Sequence, residues 1–429
     1  MKIGIIGAGF TGLAAAFYLQ KKGHNVTIFE RDKEPGGLAI GYHEKGWDWT
    51  LEQHYHHWFT NDKSVLDLAA EINHKVEVVR PKTSSYVDGG IYQLDSPVSL
   101  LKFKQLGIFD RIRMGASLAL LRYNPYWKPL EKFRAKPYLE KSMGSHGYKK
   151  IWEPLLVNKL GNFAGDVSLA WFWARVYKRT PSLAYPTGGF LNFAKHLQAV
   201  IEKTGGKFYF GSEVARLIDD KKNVDIEVNQ YSPEYKKAKK FEFDRVIVTL
   251  PSFLFMKIAP QLPSSYSDRL KNLKGIGAIN LVLRLNKKFF NDGTYWLNMC
   301  DKKSPILAVV EHTNFMDKKN YNNEHLLYIG NYLPANDPRF QMDEKQLLKL
   351  YDPWLSKINP TYRKSVIDMR VFKAPFAQPL IGKNYSKNVP PLETPIKNVY
   401  LANIEQVYPW DRGTNYAVEL GRRVADLIG

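Results

Sequence analysis

Glycines at positions 7, 9 and 12, within Gly7-Ala8-Gly9-Phe10-Thr11-Gly12, stand where a backbone must come close to something. Gly7 permits a tight turn, Gly9 lets the chain approach a pyrophosphate, and Gly12 lets a helix press against a strand. The N–H groups that open such a helix point at the phosphates with the positive end of its dipole. Glu30, twenty-three residues after Gly7, is placed to accept hydrogen bonds from ribose hydroxyls and would repel a 2′-phosphate, which argues against NADP. Gly36-Gly37 follows a few residues later. Two adjacent glycines give a second close backbone approach, which suits FAD, the more extended dinucleotide. Phe10, Thr11, Arg31 and Leu38 complete the contacts expected of this stretch.

Three histidines crowd His54-Tyr55-His56-His57-Trp58. In strand geometry His54 and His56 share a face, where one imidazole could touch a flavin or a substrate. They could equally be packed or surface histidines. A metal site would need carboxylates alongside them, no cysteine stands in the segment, and no metal site is expected. Glu311, at the end of the apolar run Ile306 to Val310 and beside His312, could serve as a general acid or base. Thr313 and Asn314 offer plain turn chemistry there instead. Arg370 and Lys373 are candidates to neutralise an acidic substrate.

These residues need elements to hold them. The apolar run Ile3, Ile5, Ile6 reads as a buried strand of a parallel sheet. A helix follows with Leu13, Ala16, Phe17 and Leu19 inward and Gly23 ending it. Val26, Ile28 and Phe29 make a second strand closed by Glu30. Strand, turn, helix, strand and acid all agree, which makes the glycine motif specific. Alternation in Asn280-Leu281-Val282-Leu283-Arg284-Leu285 predicts a strand. A second strand–GxGxxG–helix unit is missing, since Gly275-Ile276-Gly277 lacks the third glycine, so no dedicated NAD(P)H domain is expected.

Gly7 through Gly37 resembles the extended fingerprint of the flavin amine oxidase superfamily, which includes protoporphyrinogen oxidases, phytoene desaturase-like enzymes and, more distantly, UDP-galactopyranose mutases. Tyr185-Pro186-Thr187-Gly188-Gly189-Phe190 is similar to that group's glycine pair returning the chain to the FAD domain. The resemblance implies a backbone contact from Val214 to adenine. It also implies a closing helix, opened by Gly413, Thr414 and Asn415, aimed at the flavin pyrimidine. Relatives carry glycine and an acid after the last strand to hold the ribityl chain; here Asn403 and Ile404 stand in those positions, with Glu405 one place later. Gly147 to Leu156 looks like a segment of the protoporphyrinogen oxidase group. The implied fold is α/β: a Rossmann-like FAD-binding domain (1–80, 186–255, 375–429) interleaved with an α+β substrate domain (81–185, 256–374). The substrate domain is helical over 97–180 and strand-rich over 275–372.

Aromatics are 14% of the 429 residues and hydrophobics 44%, a globular composition, and the formal charge is +20 with a pI near 9.6. Basic runs lie at Lys128 to Lys141, Lys149-Lys150, Lys236 to Lys240 and Lys318-Lys319. No zinc-finger, helix-turn-helix or RNA-binding signature accompanies them, so nucleic acid is not an expected partner. An anionic bilayer or a phosphorylated substrate fits the excess. Leu100-Leu101, Phe103, Leu106, Ile108-Phe109 and Met114, interleaved with Lys102, Lys104, Arg111 and Arg113, suit an amphipathic helix on an anionic membrane or one packed on the core. The start of the chain lacks the apolar core of a signal peptide, which predicts a cytoplasmic protein, peripheral to the inner face of the membrane.

Three functions are compatible with this reading. The first is an FAD-dependent oxidoreductase acting on a hydrophobic small molecule, an isoprenoid or other lipid. The second is a non-redox relative of the UDP-sugar mutases, which the resemblance of the His54–Asp62 segment implies. The third is a binding module that keeps FAD structurally. The sequence leaves oligomeric state open.

Overall fold

The computed structural model describes residues 1–219, 222–230 and 239–429. The basic run Lys236 to Lys240 therefore lies outside the described residues up to position 238.

Strand β1 (Lys2–Ile6), helix α1 (Phe10–Lys21) and strand β2 (Asn25–Phe29) form at the expected places. Glycine chemistry sets both ends of the helix. Gly7 takes φ +103° to turn out of β1, and Gly23 takes φ +82° after the last helical turn. β1 and β2 pair in parallel, Ile3 opposite Val26 and Ile5 opposite Ile28. They sit in a five-stranded parallel sheet ordered Lys207–Tyr209, β2, β1, Arg245–Val248, Val399–Leu401. Every Ile and Val on β1 and Arg245–Val248 is buried, as a sheet covered on both faces requires. On one face lies an antiparallel sheet of Ser212–Asp219, Val224–Gln230 and Lys239–Phe243. It comes so close that a Cβ on Gly4 would stand 2.8 Å from Ile226 and Phe243. On α1 lies the closing helix, Thr414–Ile428. A Cβ on its Gly421 would stand 2.4 Å from the carbonyl of Thr11.

A seven-stranded sheet forms the second body: Val366–Pro379, Gly275–Leu285, His325–Leu333, Ala308–Glu311, Thr294–Met299, Lys82–Val87 and Gly90–Gln93. The alternation read at 280–285 has a physical cause in two cores. Ile279, Leu281, Leu283 and Leu285 pack toward the helix Glu344–Ile358. Ala278 and Val282 belong to the main core, and Asn280 meets His54. Strand Val366–Pro379 continues past position 375, where the sequence placed a domain boundary. Residues 97–177 are helical turns joined by short links. Among the described residues, no helix is long and apolar enough to cross a membrane.

Two helices, Pro97–Lys102 and Ile108–Tyr123, replace the single amphipathic helix expected here. The break at Gly107 resets the phase. Leu100, Phe103, Leu106 and Met114 are therefore buried, and of the apolar set only Leu101, Ile108 and Phe109 face outward. Ile112, Leu120 and Tyr123 join them.

Candidate flavin site and adjoining cleft

Gly9 caps α1 with no side-chain hydrogen bond, so the first-turn amides of Phe10, Thr11 and Gly12 keep the unmet donors common to helix starts. The second glycine pair closes on the first. Gly36 N–H donates to the Ala8 carbonyl (2.9 Å), and a Cβ on Gly37 would stand 3.0 Å from Gly9 Cα. A side chain on Gly37 would press on that backbone, and its φ of +58° also favours glycine. The Phe10 ring is spent on the core, stacked on Phe193 at 5.6 Å; only its backbone faces the cradle. Thr11 is buried, and Arg31 is exposed beside Asp32. Gly12 has a different task, since its Cβ would stand 2.0 Å from the Gly7 carbonyl.

Glu30 ends β2 with one carboxylate oxygen accepting from Ala8 N–H (2.7 Å) and the other from Asp32 N–H (3.0 Å). Burial pushes its carboxyl above the usual range, against the pull of those two amides. Ser212 N–H donates to the Glu30 carbonyl (2.8 Å), which sets Val214, buried two residues on, in the strand beside it. Cradle, carboxylate and strand edge lie in the order a dinucleotide needs, so the residues present fit FAD. When bound, FAD supplies a two-electron carrier.

Leu38 links this cradle to a narrow cleft, partly open to solvent, lined also by His54, Tyr55, His56, Asn280, Asn331, Tyr332 and Arg412. His54 Nδ1 accepts from the Asn280 amide (2.5 Å), which leaves its proton on Nε2. His56 Nδ1 donates to the His54 carbonyl (2.5 Å), which leaves its Nε2 an acceptor. Burial, with the charges of His56 and Arg412, pulls His54 down to about 3. Burial, with Arg412, pulls His56 down to about 4. Both imidazoles are therefore neutral at pH 7, one a donor and one an acceptor.

The closing helix meets this segment directly. Trp58 Nε1–H donates to Thr414 Oγ1 (2.6 Å), and Val65 N–H donates to Asn415 Oδ1 (3.1 Å). With those side chains committed, what Thr414 and Asn415 can offer a flavin is backbone N–H. Gly413 caps the helix without a side-chain bond. Asn403 donates to the Leu250 carbonyl (3.1 Å) and to Glu405 (3.0 Å). One Glu405 oxygen takes both the N–H (2.8 Å) and the hydroxyl (2.5 Å) of Ser252. Asn403 and Glu405 thus brace the turn after Arg245–Val248.

Glu311 is not brought to the histidines. Its oxygens accept from Phe289 N–H (2.9 Å), Phe290 N–H (2.8 Å) and the Asn314 amide (2.9 Å), and His325 Nδ1 lies 3.4 Å away. Fully buried and fully used, this carboxylate anchors a turn and is not available as an acid or base. Glu311→Ala strands two buried N–H groups, at about 1–3 kcal/mol each. Urea unfolding should show a loss of about 2–6 kcal/mol with flavin affinity unchanged. Arg370 pairs with Glu44 and Asp368, and Lys373 donates to the Met342 carbonyl; neither lines the cleft. Among the described residues, no three His, Cys, Asp or Glu side chains gather as a metal site.

The sequence reading missed Asn280, Tyr332 and Arg412. No local motif marks them, and three separate elements deliver them.

The model of the family described as flavin containing amine oxidoreductases matches residues 10–429. The solved structure of a candidate protoporphyrinogen oxidase from Exiguobacterium sp. 255-15 superposes with a TM-score of 0.77 at 15% identity, covering 100% of this chain and 98% of that one. Reduced UDP-galactopyranose mutase gives 0.77 at 14% identity, covering 100% and 95%. Identities this low establish a shared fold. The 4,4'-diapophytoene desaturase of Staphylococcus haemolyticus is 45% identical over 51 residues, 12% of this chain and only 10% of the desaturase. The superfamily likeness read from the glycine fingerprint and the α/β fold class are both borne out.

Proposed function

The chain belongs to the family of flavin containing amine oxidoreductases, and from that membership we propose that it moves hydrogen between FAD and a hydrophobic, lipid-like substrate drawn from a membrane. His54 and His56, one donor and one acceptor, orient the substrate or the flavin edge. They carry no charge while doing so. Leu38, Ala278 and Ala377 supply apolar wall.

The observation that carries the lipid reading is the outer face of the helix Ile108–Tyr123. Phe109, Ile112, Leu120 and Tyr123 recur at helical spacing and are 84%, 55%, 70% and 82% exposed. Leu101 and Ile108 are exposed nearby, and Lys102, Lys104, Arg111 and Arg113 are interleaved with them along the chain. The same helix buries Met114, Ser117 and Leu121 on its other side, so its fold needs no apolar residue outward. Exposed apolar side chains interleaved with cations match an anionic bilayer surface, where each basic residue adds about 1 kcal/mol. The mutase-type alternative has no stronger support, since the likeness to UDP-galactopyranose mutase is one of fold.

Anaerobic mixing of the yellow protein with anionic vesicles carrying a membrane lipid extract tests this. The flavin of the wild type should bleach and recover with quinone or oxygen. Phe109→Asp/Leu120→Asp should bleach at least tenfold more slowly. Equal rates, or no bleaching by any lipid fraction, would remove the lipid reading.

A further inference from the structure

We propose that the substrate carries a phosphate or diphosphate, held by four cations that converge on the His54–His57 segment: Lys159, Arg175, Arg179 and Arg412. The inference rests on the cleft being the substrate site. Lys159 comes from the helix Glu153–Leu160 and Arg175 from Leu169–Tyr177. Arg179 stands one turn beyond Arg175, and Arg412 just before the closing helix. Lys159 Nζ and the Arg412 guanidinium lie 4.3 and 5.0 Å from the ring centre of Tyr332, which lines the cleft. Arg412 Nε donates to Gln378 (3.0 Å).

One carboxylate answers this group. Asp411 pairs with Arg175 and accepts from Trp171 Nε1–H (3.2 Å). Among the described residues, no carboxylate lies within 4.0 Å of Lys159, Arg179 or Arg412. Three arginines and Lys159 thus face one carboxylate.

Burial draws Lys159 well below its usual range, with the neighbouring arginines adding to it. Burial also takes Arg412, which lines the cleft, down to about 10. Arg412 lines the cleft together with His54 and His56; burial first, and then the charge of Arg412 for those two and of Arg179 for His57, depresses the imidazoles. Burial pushes Asp411 up, but Arg175, Lys159 and Arg179 outweigh it and hold the carboxyl low.

Lys159 and Arg412 are half-buried without a paired carboxylate and Arg179 lies exposed beside them, so an anion entering the cleft would meet unmatched positive charge. The diphosphate of FAD belongs at the first turn of α1 and cannot be that anion. A carboxylate brings one negative charge and a phosphate ester about 1.5 to 2; a diphosphate brings more. Arginine forks bind phosphate oxygens two at a time. With three arginines against one carboxylate the excess is at least two whatever charge Lys159 carries, and it selects the phosphorylated class. Its source is either a lipid headgroup or a nucleotide.

The FAD-loaded protein is titrated with inorganic pyrophosphate, geranyl diphosphate and UDP, followed by the flavin spectrum and by calorimetry. Saturable pyrophosphate binding is expected. Arg179→Gln and Arg412→Gln should weaken it at least tenfold, and Arg370→Gln should leave it unchanged. Tighter binding of geranyl diphosphate marks a lipid source, and tighter binding of UDP a nucleotide. The Arg179 and Arg412 variants should also lose the upward shift in melting temperature that pyrophosphate gives the wild type. Replacing a purely structural arginine would leave that shift in place. Yellow protein that binds none of the three, or binds them equally after both substitutions, would overturn the proposal. Colourless protein would instead overturn the flavin site on which it rests.

Discussion

Gly9→Val is expected to purify folded and colourless. A Cβ at Gly9 meets only Gly37 Cα, at 3.7 Å, an ordinary contact. The backbone there, φ −70° and ψ 172°, is open to any residue, valine included. The ligand-free fold should therefore survive. What the branched side chain occupies is the space before the first-turn amides of α1, where a diphosphate must sit. FAD affinity should fall at least about a hundredfold, about 2.8 kcal/mol. Far-UV circular dichroism and the melting temperature should stay those of stripped wild type. A Gly9→Val protein that stays fully yellow would show that the diphosphate lies elsewhere.

Gly12→Val should fail for the opposite reason. Three residues further on, the added Cβ would stand 2.0 Å from the Gly7 carbonyl oxygen and 3.3 Å from Ile5. Neither neighbour can yield. Gly7 N–H is bonded to the Phe29 carbonyl (2.8 Å) and its φ of +103° is already special, while Ile5 is fully buried in the central strand. Overpacking of a rigid site costs about 1–3 kcal/mol or more, a large share of a typical total stability of about 5–15 kcal/mol. Insoluble or low-melting protein is expected, and added FAD should not rescue it. Two glycines of one motif thus separate cleanly into a ligand glycine and a packing glycine. A soluble Gly12→Val variant with normal melting would contradict the close helix–strand contact.

What could be read in advance was local. The strand–turn–helix at the start follows from glycine dihedrals and from the run Ile3, Ile5, Ile6, all within reach of one another along the chain. The strand at 280–285 was legible because period-two alternation survives even where both faces are buried. Other features depended on distant partners. His54 owes its tautomer to Asn280, 226 residues away. Glu311 stands at its strand end as anticipated, yet its role is set by the amides of Phe289 and Phe290, which no pattern near position 311 announces. Residues 100–114 misled because Gly107 splits one apparent amphipathic helix into two, turning Leu100, Phe103, Leu106 and Met114 inward. The cation cluster was invisible for a related reason. Lys159, Arg175 and Arg412 are ordinary surface-type residues in sequence and become a cluster only once three elements meet around Tyr332 and Asp411.

Titration of cofactor-stripped protein with FAD, followed by quenching of the free flavin's fluorescence, addresses the central claim most directly. Quenching should saturate at one FAD per chain and the protein should turn yellow, with FMN and NADP unable to compete. Fluorescence that rises linearly with every addition, with no saturable phase, would mean that the glycine cradle and Glu30 hold no dinucleotide.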